Sequence, residues 1–137
     1  MLDTLLLTAT GMWLGAMVFF AAVVAPTVFG TLEPVEAGRM IRRVFPKYYL
    51  FGLVCITVAL LASLVRPNWW TVAFALLLGM TAYARQILMP RVNTARDAML
   101  EKHEEHSPAF SRLHKLSVQL NALEMLVCAV LMYAMAS

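Results

Sequence analysis

Five side chains near the end of the chain could do chemistry together. His114, Ser117, Asn121, Glu124 and Cys128 are spaced 3, 4, 3 and 4 residues apart. On a helix, at about 100° per residue, they fall within an arc of roughly 80°. Apart from Gln119, every other residue from Leu116 to Ala136 is apolar or small. Glu124 lies about 10 Å beyond Ser117 along such a helix. An isolated carboxylate in those surroundings costs a few kcal/mol or more, so it is expected to face other protein and to be paired or protonated. One reading of the stripe is a site for a proton, a cation or a polar substrate. The other is interhelical hydrogen bonding that holds a bundle together. The two weigh equally for Glu124. The second is favoured for Ser117 and Asn121, and Cys128 reads as packing.

A second set of polar residues could line an entrance to that stripe. Gly79, Ala82, Gln86 and Met89 repeat at 3, 4 and 3 and predict a narrow helical face, with Arg85 beside Tyr83 at its end. Arg85 either snorkels toward lipid phosphates or pairs inward with an acid or anion. In the first apolar run, Thr8, Gly11, Gly15 and Ala22 offer small surfaces, and Gly11 with Gly15 forms a GxxxG pair. Such a pair permits close helix approach, either within the chain or in a homo-oligomer, and packing within the chain is favoured. Pro26 must leave a carbonyl of the preceding turn without its usual partner.

Metal and cofactor chemistry find less support. His103-Glu104-Glu105-His106 places two imidazoles at i and i+3, where they could share one ion, with Glu101 or His114 as the only neighbours able to complete a site. The run is one residue short of His-Glu-x-x-His, and the plain alternative is a solvated loop. The ten methionines are scattered, as core filling requires. A membrane haem held by two imidazoles needs them to face each other, and no histidine falls in the first three apolar runs. No Ser-His-Asp grouping, phosphate-binding glycine loop or cysteine-rich cluster is present, so a non-enzymatic role is favoured over catalysis. Metal ion or haem thus remains possible without being indicated.

The elements that must position these groups follow from composition. The 137 residues are 61% hydrophobic and only 14% charged, with mean hydropathy +0.74. Soluble domains run at about 45–50% apolar and about 25% charged. Disorder, a nucleic-acid-binding basic surface and most soluble enzymes are excluded on that ground. No charge occurs between Asp3 and Glu33, between Lys47 and Arg66, or between Arg66 and Arg85, and after Lys115 only Glu124 interrupts the apolar run. A bilayer core takes roughly 20 apolar residues as helix. Four spans are therefore expected, at about residues 5–29, 48–65, 69–88 and 113–136, in one domain covering 1–137. The first run is too long for a cleaved leader, and its start is acidic rather than basic.

Ten of the eleven Lys and Arg flank the first and third connections. The positive-inside rule places those loops in the cytoplasm of a bacterial-type inner membrane, with both termini outside. The net charge of +3 then describes a face against anionic headgroups rather than a nucleic-acid surface. Trp69 and Trp70 read as an interfacial belt on the opposite side. Residues Thr31 to Phe45 predict a basic amphipathic helix lying on the inner surface, with Phe45-Pro46 turning the chain into the second span. Ser107-Pro108 reads as the cap and first residue of the fourth helix. Cys55 and Cys128 sit mid-span at different depths, as thiols rather than a disulfide.

Several short motifs resemble those of the transmembrane protein 205-like family, a domain of unknown function. They are Phe45-Pro46-Lys47-Tyr48-Tyr49, Ala84-Arg85 with Met89-Pro90-Arg91, and Phe110 to Ser117 with Asn121. The resemblance runs from Gly11 to about Asn121. It implies a four-span bundle and a distant kinship with copper-resistance D-like membrane proteins, some of which bind haem or metal. His103 and His106 have no obvious counterpart there. The matching positions, Tyr48, Arg85, Arg91, His114, Ser117 and Asn121 among them, gather at the basic end. The expected architecture is thus an all-α integral membrane four-helix bundle. The expected role is handling or transport of a small polar solute or metal species along the fourth-helix stripe, with Arg85, Arg91 and His114 at its entrance. A haem- or metal-binding redox protein and a structural partner in membrane assembly are the alternatives.

Overall fold

The computed structural model describes residues 1–137 and contains helices but no strand. Four continuous helices account for nearly all of it: α1 (Leu2–Thr31), α2 (Pro34–Ser63), α3 (Trp69–Glu101) and α4 (Pro108–Ala136). Each is long and apolar enough to cross a membrane. At 1.5 Å per residue they measure roughly 43–50 Å, well over the hydrocarbon thickness of about 30 Å. The chain is a multi-pass integral membrane protein, and its outer faces meet lipid.

Short connections make sequential helices antiparallel neighbours. α1 packs on α2, α2 on α3, α3 on α4, and α4 closes the ring against α1. Leu32 adopts an extended conformation that separates α1 from α2, and Pro34 opens α2 with no N–H to satisfy. Asn68 caps α3: its side chain accepts from Trp70 N at 3.0 Å, and the Thr71 hydroxyl accepts from Asn68 N at 3.3 Å. Ser107 caps α4 as expected, accepting from Phe110 N at 3.4 Å ahead of Pro108.

The expectation for the first connection changes. Residues 34–45 are helical, but they do not lie flat on the surface, and no turn occurs at Phe45-Pro46. α2 runs unbroken through Pro46. The apolar side of its first half is used vertically: Ala37 and Ile41 are buried with Val28 near the end of α1. On the other side it meets α3. Arg42 pairs with Asp97, and Arg96 donates to the Pro34 carbonyl. The Arg96 guanidinium lies against Gly38 so closely that a β-carbon there would collide with it. The basic ends of α2 and α3 therefore clamp each other.

α1 and α3 share a local device. Each has one π-helical turn, at Phe20–Val24 and Ala84–Leu88, and each turn is followed two residues later by a proline, Pro26 or Pro90. A proline ring collides with the carbonyl four residues back in a regular helix. A wide turn moves that carbonyl aside at the cost of one extra residue.

The core lies on the bundle axis. Trp13, Met17, Phe74, Leu77, Leu88, Cys128 and Leu131 are fully buried in it. Cys55 and Cys128 are free, buried thiols.

Candidate functional site

Glu124 is turned into the bundle and is 1% exposed. Its neighbours come from the other three helices. Trp13 of α1 and Thr81 of α3, both 0% exposed, bring an indole N–H and a hydroxyl close enough to act on its carboxyl group. Neither these two donors nor either carboxyl oxygen completes a hydrogen bond. Tyr48 and Tyr49 of α2 also lie within electrostatic reach of Glu124. No Lys, Arg or His forms an ion pair with it. Buried polar atoms in proteins are nearly always satisfied, so four unsatisfied ones in one cluster mark the place where this bundle departs from plain packing.

A hydrogen bond crosses the bundle one turn nearer the basic end. Tyr48 Oη of α2 donates to Asn121 Oδ1 of α4 at 2.8 Å, and Asn121 Nδ2 lies 3.6 Å from Met125 Sδ. The Tyr48 ring packs against Trp13, with ring centroids 4.8 Å apart, and against Phe20 at 4.9 Å. Gly52 makes this possible. A β-carbon there would sit 2.6 Å from two atoms of the Trp13 indole, so only glycine lets that ring reach the axis.

The remaining expected residues divide into two groups. Arg85 is half-buried, and its Nε donates to the Pro46 carbonyl at 3.4 Å. It lines a small hollow of about 90 Å³ with Arg42, Pro46, Tyr49 and Pro90. Ser117 donates to the His114 carbonyl at 2.7 Å and is satisfied within its own helix. His114 is exposed and stacks on Phe110. Arg91 and Gln86 are exposed and join neither group. The expected face of Gly79, Ala82, Gln86 and Met89 does not form: Gly79 and Gln86 are exposed while Met89 is buried. The π-helical turn at Ala84–Leu88 adds a residue to one turn and shifts the face, so a regular 3, 4, 3 spacing no longer shares one side.

His103 and His106 are both exposed. His103 ends α3 in the left-handed conformation at φ 53°. Its N–H bonds to the Leu100 carbonyl and that of Glu104 to the Met99 carbonyl, the helix-closing pattern usually served by glycine. Each imidazole turns its Nδ1 to a backbone carbonyl, of Leu100 and Glu105 respectively. No group of three or more side chains of metal-ligating type is assembled anywhere in the chain. Gly15, half of the GxxxG pair, has open space beside it, whereas Gly11 faces Met132 of α4.

Trp13, Thr81, Tyr49 and Gly52 were not singled out by the spacing argument. Trp13 carried the one available signal: a tryptophan in mid-span, away from either interface, needs a buried partner for its N–H.

No solved structure matches the chain. An uncharacterized protein of Aquifex aeolicus (strain VF5) is 37% identical over 60 residues, which cover 44% of this chain and 46% of that protein. The chain thus spans less than half the length of that curated relative. Residues 8–101, more than two-thirds of the chain, match a family described as a domain of unknown function. The match takes in Trp13, Tyr48, Gly52 and Thr81 and ends before α4. By that match the chain belongs to the DUF4149 family.

Proposed function

We propose that this membrane protein moves or holds a small polar or cationic solute inside its bundle, with Glu124 as the group that meets the charge. The observation that carries the reading is the Glu124 carboxyl itself: 1% exposed and without a completed hydrogen bond or a basic partner. In a bilayer such a group is held at low cost only with a proton or a cation on it. The route runs from the hollow beside Arg85 past Tyr49, and from Asn121 and Tyr48, to Glu124. Arg42 and Arg85 stand at its outer rim. That basic rim repels a bare divalent ion, which ranks a proton above a metal species. The resemblance to transmembrane protein 205-like proteins belongs to the same proposal, because its matching positions surround this end. So does the orientation in which the basic end faces the cytoplasm of a bacterial-type inner membrane.

The residues do not fit a haem held by two imidazoles. All three histidines are exposed, and none faces another across the bundle. An assembly role, with the polar stripe acting only as adhesive, is the competing reading. Reconstitution separates the two. Liposomes carrying the wild-type chain and a trapped pH-sensitive dye should relax an imposed proton gradient, and Glu124→Gln should lose that flux while keeping its helical circular dichroism. Equal flux in both proteins removes Glu124 from the function. No flux from the wild type, together with a lower unfolding midpoint for Glu124→Gln, supports the assembly reading instead.

A further inference from the structure

A shallow open groove of about 720 Å³ runs along the outer side of the first half of α2, lined by that helix together with Leu32. Two helical rows line it. One is basic: Arg39, Arg43 and Lys47, four residues apart. The adjacent row passes from Glu36 through Met40 and Val44 to Tyr48. The chain's one ion pair, Arg42–Asp97, lies outside the groove, and the three basic side chains of the groove make no ion pair or hydrogen bond of their own. Lys47 is the last charge before an uncharged run that reaches Val65, so the basic row sits at headgroup level. Beyond it the same face continues as Leu50, Phe51 and Val54, all exposed and all apolar.

We infer that this groove binds an anionic phospholipid. A phosphodiester would lie along Arg39, Arg43 and Lys47, and an acyl chain would follow Phe51 and Val54. The argument is complementarity along one line: three unpaired cations, then hydrocarbon, in the order that a lipid presents phosphate and tail. Glu36 stands at the far end of the groove and confines the phosphate toward Lys47. Free inorganic phosphate shares the headgroup chemistry but gains nothing from Phe51 and Val54. The inference goes beyond the proposed function and is independent of Glu124. It has one point of contact with it, because Tyr48 both lines the groove and donates to Asn121.

The test uses the full chain in detergent micelles, titrated with phosphatidylglycerol, phosphatidylcholine or inorganic phosphate, while the thermal unfolding midpoint is followed. A ligand of the native state raises that midpoint. Phosphatidylglycerol should raise it, and the other two should not. Each basic charge near a lipid surface is worth roughly fivefold in affinity, so R39Q/R43Q/K47Q should weaken the response on the order of 100-fold. R91Q/R112Q/K115Q should retain it. The inference is overturned by no response to phosphatidylglycerol, by an equal response to inorganic phosphate or phosphatidylcholine, or by equal loss in both triple variants. Should R39Q/R43Q/K47Q not fold, native mass spectrometry of the wild type decides. Retained phosphatidylglycerol in preference to phosphatidylcholine supports the site, and equal retention overturns it.

Discussion

Gly52→Ala is the sharpest probe of the packing that delivers Trp13 to Glu124. The added β-carbon would stand 2.6 Å from Cη2 and Cζ2 of the indole and 2.8 Å from Cε2. Carbons pack at about 3.5–4.0 Å, so α1 and α2 must part by about 1 Å or the ring must leave its place. The ring has nowhere easy to go, being fully buried and packed against Tyr48. Overpacking of this kind costs about 1–3 kcal/mol. Replacing glycine inside a helix returns about 0.5–1 kcal/mol. Taken at mid-range, the net expectation is a loss of about 1 kcal/mol, read as a drop of several degrees in the unfolding midpoint in micelles. Gly15→Ala, with open space around it, should show no loss. In a Trp13→Phe background the atoms that collide are absent, so Gly52→Ala should cost nothing there, and the two changes should be strongly non-additive. An unchanged midpoint for Gly52→Ala, or the same penalty with phenylalanine at position 13, would refute the reasoning.

Two further outcomes follow from the same geometry. Tyr48→Phe and Asn121→Ala should each lower stability by about 0.6 kcal/mol, and by no more than about 1.7, with a coupling of similar size in a double-mutant cycle; zero coupling would mean that the 2.8 Å bond contributes nothing. Arg42→Gln or Asp97→Asn should cost under about 1 kcal/mol, because both side chains are close to half exposed, at 44% and 48%, and the loss should vanish in high salt; a salt-independent loss above about 2 kcal/mol would show that the pair does more than bridge an exposed clamp.

The architecture was legible because lipid imposes strong rules. Long charge-free runs can only be spans, and clusters of basic residues mark their ends. Glu124 was legible for the same reason, since a lone acid inside such a run must turn inward. What could not be read was any feature set by local irregularity. The wide turn in α3 rephased Gln86 and Met89, so a spacing argument that assumed a regular helix assigned them a common face. Pro46 looked like a helix start because proline suits that position, yet packing of Ala37, Gly38 and Ile41 against α1 and α3 carried the helix straight through it. The partners of Glu124 were hidden because they arrive from three different helices. A tryptophan and a threonine in apolar runs give no periodic signal of their own, and the glycine that admits the indole shows its purpose only through what lies opposite.

The extra residue in the Ala84–Leu88 turn also acts as a phase reference for everything beyond it. Met89 and Val92 point into protein, and Asp97 meets Arg42, only because the helix has been advanced by one position before it leaves the bilayer. Strip one residue from that turn and the downstream segment rotates by about 100°, carrying its acid away from the arginine and its buried methionine toward lipid. The wide turn before Pro90 is therefore a counting device, and the alignment of the outer clamp is inherited from it.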